Sequence, residues 1–120
     1  VDSTAVFNDL ANLRTAMTDS GIRAGADSGD PKTAFAALFE ADGIDAGVWR
    51  CEPGGWPIVD RPDTEVMLVL SGRARITANN GTSREVTGGD VFVLPKGWTG
   101  RWDVLETLEK LYVIVETEHS

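Results

Sequence analysis

At 120 residues the chain has the length of one domain, and its 42 % of hydrophobic residues supply one core rather than two. Eleven Lys and Arg against nineteen Asp and Glu leave a net charge of −8, which argues against a nucleic-acid binder and against a polybasic membrane anchor. One His and one Cys in the whole chain are too few donors for the common zinc, iron and copper sites.

In chain order, Val6, Leu10, Leu13 and Met17 recur at helical spacing behind Ser3 or Thr4 as N-caps, which predicts a short amphipathic helix. Residues 19–32, rich in Asp, Gly, Ser and Ala, read as a surface loop. Phe35, Ala37 and Phe39 then alternate with Ala34, Ala36 and Leu38, and Asp42-Gly43 marks a turn. Residues 47–51 read as a strand stopped by Pro53-Gly54-Gly55, and residues 64–71 as another ended by Gly72. Residues 73–78 alternate cleanly into the hairpin signal Asn79-Asn80-Gly81, and 83–87 form the return strand. Asn80-Gly81-Thr82 also fits a glycosylation pattern, but reads first as that turn. Val91–Leu94, stopped at Pro95-Lys96-Gly97, and the segments 100–104 and 111–116 complete the set. Short strands with Gly/Pro turns and no βα alternation indicate an all-β sandwich or barrel.

The lone Cys51 forms no intramolecular disulfide, so the cytoplasm is the expected compartment. The longest apolar run, Val66 to Leu70, is far too short to span a bilayer. No basic region followed by an apolar run opens the sequence, so no signal peptide is expected.

Glu65 followed six residues later by Gly72, and Gly89 followed by Pro95-Lys96-Gly97, match parts of the two cupin motifs. With Trp49-x-Cys51-x-Pro53-Gly54, Gly81, Asp90, Trp102 and Lys110-x-Tyr112, the ordered set resembles the small single-domain cupins related to (S)-ureidoglycine aminohydrolase and to the ethanolamine-utilisation cupins. The resemblance implies a cupin jelly-roll β-barrel over residues 33–120, preceded by a helical or irregular segment over 1–32. It also implies a ligand pocket in the barrel mouth and a homodimer. It does not carry over the family's metal. The first-motif histidines would fall at Ile58 and Asp60, or at Val59 and Arg61, and the second motif's His and Asn at Gly100 and Val104. Only Glu65 of the four metal-binding places is kept, so no metal and no cofactor are expected. His119, next to the C-terminal residue, reads as solvated.

With Glu65 pointing into the barrel, as the resemblance implies, strand alternation puts Met67 and Val69 on its face. The pocket is then drawn from Trp49, Cys51, Glu65, Trp98, Trp102, Lys110 and Tyr112, with Arg61 at the rim. Each has a blander reading. The tryptophans fill a core, Cys51 is a packed thiol, and Glu65 is one half of an ion pair with Lys110, Arg61 or Arg101. Two functions follow: a metal-free protein binding a small polar metabolite, with Trp49, Cys51, Arg61, Trp98 and Trp102 as ligand contacts; or a metal-independent acid–base enzyme with Glu65 as base and Tyr112 or Lys110 as acid. A structural or dimerisation module is a third.

Overall fold

The computed structural model describes residues 3–116; His119 lies outside the described residues. The helix α1 spans Leu10–Thr15 and is capped by Asp9, whose carboxylate accepts from the Asn12 N–H at 2.8 Å. It therefore starts later than the hydrophobic spacing suggests, and Ser3 and Thr4 are not its caps. The helix begins where a side-chain oxygen satisfies an otherwise orphaned amide. Leu13 is its one buried residue, and Arg14 ties it to the barrel through Glu109 at 2.8 Å.

Eight strands follow: β1 (Thr18–Ile22), β2 (Lys32–Ala41), β3 (Ile44–Cys51), β4 (Gly54–Ile58), β5 (Thr64–Ala78), β6 (Ser83–Thr87), β7 (Val91–Leu94) and β8 (Gly100–Val115). All of β1 but Thr18 falls inside the segment expected as loop. All five of its side chains are exposed, so backbone pairing to β2 forms it without any apolar alternation to announce it.

β5 and β8 are the spine, antiparallel along their length. Their outer halves, with β4 and β6, make one sheet; their inner halves, with β1, β2, β3 and β7, make the other. Gly72 does not end a strand, as its turn chemistry suggests. It sits within β5 between irregularities of register, at φ +88°, where a Cβ would lie 2.1 Å from the Thr107 carbonyl oxygen. This bulged stretch lets one strand serve both sheets. Asn79-Asn80-Gly81 makes the β5–β6 turn, closed by Ala78 N–H to Thr82 O and by Thr82 N–H to the Asn80 side chain.

Between the sheets, alternation sends Met67, Val69, Ala74, Val104 and Leu108 into a core that Trp56, Trp102 and Cys51 complete. Burying a side chain of this kind stabilises by about 1.5–3 kcal/mol. This all-β jelly roll leaves a cavity at one end.

Candidate functional site

The cavity is about 350 Å³. The inward faces of three strands build one wall in rows. Asp45, Ile114 and Glu65 stand side by side across β3, β8 and β5, followed by Gly47, Tyr112 and Met67, then Trp49, Lys110 and Val69. The facing sheet contributes Trp56 and Trp102, register partners on β4 and β8. Their rings stack at 5.9 Å and 8°, and Trp49 meets both edge-on at 6.2 and 6.5 Å.

Glu65 is buried, and both its oxygens are taken. Oε2 accepts from Lys110 Nζ at 2.7 Å and Oε1 from Arg61 Nη2 at 2.8 Å. The Lys110 ammonium also lies over the rings of Trp49, at 4.4 Å, and Trp102, at 4.8 Å. A caged, ion-paired cation of this kind tolerates burial that an unpaired one would not. Arg61 reaches Glu65 from the loop between β4 and β5. That loop is stapled to the turn after β7 by Arg61 N–H to Trp98 O at 3.0 Å and Gly97 N–H to Arg61 O at 2.7 Å. Asp63 takes a further hydrogen bond from the same guanidinium at 3.0 Å.

Arg23, from the segment between β1 and β2, stacks over Trp56 at 5.0 Å and makes no ion pair among the described residues. Burial, assisted by the charge of Arg61, lowers its pKa from the ordinary guanidinium range. A fork between Arg101 and Asp27, at 2.7 and 2.8 Å, pins this segment down beside β4. Tyr112 sits where Gly47 leaves room, since a Cβ on that glycine would lie 3.0 Å from the phenol oxygen. Burial, then the charges of Asp45 and Glu40 and a hydrogen bond to Asp45, push the phenol pKa up, so Tyr112 keeps its proton.

Of the residues expected in the pocket, Trp49, Arg61, Glu65, Trp102, Lys110 and Tyr112 line this cavity. Cys51 and Trp98 do not. Cys51 is fully buried in the core and its thiol is pushed up to about 12, chiefly by burial. Trp98 borders a separate cavity of about 250 Å³ with Phe92 and Val86. Arg23, Asp45 and Trp56 were missed: one stands in a segment read as loop, and another follows a Pro-Gly-Gly run that reads as a stop rather than the start of β4.

The residues present do not fit a divalent metal. Among the described residues no group of three His, Cys, Asp or Glu side chains gathers to hold one. Glu65, the retained ligand place, already faces two cations, whose charges would repel a third. Gly100 has no space for a ligating side chain: a Cβ there would lie 2.3 Å from the Thr77 carbonyl oxygen and 2.4 Å from the Trp98 ring.

Two sheets wrapped around a pocket, with Glu65, Gly72, Gly89 and Pro95 in the motif positions, define a cupin barrel. The sequence model of the EutQ-like cupin domain matches residues 39–112, and the chain belongs to that family. Among solved structures it is similar to a DUF861-family protein of unknown function from Pseudomonas syringae pv. tomato (25 % identity, TM-score 0.76), over 82 % of this chain and 44 % of that one. The chain thus spans under half the length of that protein. The EutQ protein of Clostridium difficile is 18 % identical with a TM-score of 0.71, over 98 % of this chain and 100 % of that one. The Cnp3 cupin domain of Schizosaccharomyces pombe is 20 % identical with a TM-score of 0.61, over 71 % and 65 %. At these identities the last two show the fold alone. No curated protein sequence matches the chain.

Proposed function

We propose that this cupin binds a small, anion-bearing polar metabolite in the barrel cavity, with the protein's own cations in place of a metal. The observation that carries the reading is the charge of the lining. Arg23, Arg61 and Lys110 stand against Asp45 and Glu65, three positive groups against two negative, in a chain whose net charge is −8. A cationic recess in an acidic protein concentrates anions. Arg61 and Lys110 are fixed by Glu65, so they are held in place before a ligand arrives. The tryptophan rings offer a flat apolar wall for the rest of the molecule.

The acid–base alternative assigns Glu65 the role of base. A substrate proton would there compete with two cations already bonded to the carboxylate, so binding is the better-supported role. Thermal-shift measurements against propionate, pyruvate, lactate and phosphate, with propionamide as uncharged control, test the reading. Stabilisation by an anion that propionamide does not reproduce is expected. No shift with any anion, or a stoichiometric transition metal in protein purified without chelators, would overturn it.

The homodimer implied by the resemblance finds support on the outer face of the same wall. Val93, Val66 and Val113 form one uncharged row across β7, β5 and β8, and Val91, Leu68 and Leu111 the next. Val66, Val91 and Val93 are exposed. A second copy suits such a face: it presents the same uncharged rows about a two-fold axis, while the −8 charge of each chain opposes association elsewhere. Light scattering should find a dimer that the double substitution Val66→Lys with Val93→Lys converts to monomer. A monomeric wild-type chain would contradict it.

A further inference from the structure

Resting on the reading of the cavity as an anion site, we infer that Asp45 is a second recognition point, taking an ammonium group on the ligand, so that the cavity selects small amino-carboxylates over plain carboxylates. Asp45 lines the cavity from β3, and among the described residues its Oδ1 is a buried side-chain oxygen with no hydrogen-bond partner. A buried acceptor left unpaired carries a desolvation cost that a ligand donor removes. Tyr112 hydrogen-bonds to the Asp45 carboxylate, yet Oδ1 is left over. Ile114 separates Asp45 from Glu65 in the row, and the two cations nearest Glu65 are committed to it. The spacing of neighbouring strands puts the two carboxylates roughly 10 Å apart, room for a small molecule with a charge at each end.

The surroundings of Asp45 point the same way. On its outer side it borders a depression shared with Asp42, Asp63 and Glu116, with no basic side chain in its lining. On its inner side lie Arg23, Arg61 and Lys110. A zwitterion finds its negative end favoured within and its positive end favoured at the mouth.

Calorimetric titration with propionate, alanine and β-alanine tests this. The better amino probe should bind about tenfold or more tightly than propionate, the scale of a hydrogen bond to a charged group. In Asp45→Asn and Asp45→Ala that preference should vanish while propionate still binds, as tightly as in the wild type or more so with one carboxylate fewer in the cavity, and that retained binding also reports that each variant is folded. Equal affinity for amino and plain carboxylates in the wild type, or a preference that survives both substitutions, overturns the role of Asp45 and leaves the anion site standing. Failure of all three probes to bind overturns the anion site and this inference together.

Discussion

The two sides of the cavity treat a carboxylate in opposite ways. Glu65 on β5 and Asp45 on β3 both neighbour Ile114 of β8, one on each side. Glu65 is closed off by Lys110 and Arg61, whereas Asp45 keeps an oxygen with no partner among the described residues. The same residue chemistry therefore does two jobs. On the β5 side a carboxylate is locked between two cations, and on the β3 side a buried carboxylate oxygen is left without a donor.

The largest effect should come from breaking the β5 side. Lys110→Met leaves Glu65 buried with one partner fewer and should destabilise the protein by about 3–5 kcal/mol in urea unfolding, the usual cost of orphaning a buried charge. Combining it with Glu65→Gln should recover a good part of that loss, because the orphaned charge is then gone. A Lys110→Met variant as stable as wild type would mean the pair is not coupled. The β3 side should yield less. Gly47→Ala puts a methyl 2.3 Å from the Ala36 carbonyl oxygen and against Tyr112, and should cost about 1–3 kcal/mol in the same measurement.

These contrasts were unequally legible in the sequence. The ordered glycines, Pro95 and Glu65 place the barrel, because turn chemistry and motif spacing are local. Glu65 was legible through the family resemblance, which points it into the barrel, where a carboxylate demands a partner, and Lys110 and Arg61 were among the candidates. Asp45 carried no such mark: it lies at the start of β3, just after the Asp42-Gly43 turn, where an acidic residue reads as solvated. Trp56 was hidden behind Pro53-Gly54-Gly55, since whether such a run stops a strand or opens an edge strand depends on pairing with β8. Arg23 stands in a segment held beside β4 by backbone bonds of Asp27 and Ser28 to Gly55 and by the Arg101–Asp27 fork, contacts between residues far apart in the sequence.

That last contact gives the smallest predicted effect. Hydrogen bonds from Arg101 hold the Asp27 carboxyl below its ordinary range. A depressed folded-state pKa means the contribution is present above the unfolded value, about 3.9, and is lost as pH falls through the lowered one. Acidification through that lowered value should therefore loosen the segment bearing Arg23 and weaken the binding of phosphate, which largely stays an anion there, and Asp27→Asn should show a weakening already at neutral pH. Affinity titrations at neutral and acidic pH check both. An Asp27→Asn protein that binds normally at neutral pH would show that the fork does not position Arg23.

The central claim is that the chain's own cations form the anion site. The most direct measurement is the affinity of a carboxylate that shifts the melting temperature, determined by calorimetry in excess EDTA for the wild type and for Arg23→Gln, the cavity cation with no ion pair among the described residues. Binding indifferent to EDTA and weakened about tenfold or more by the substitution is the expected result, in line with the loss of a charge-assisted hydrogen bond. Binding that disappears with EDTA and returns with a divalent metal, or that ignores the loss of Arg23, would contradict it.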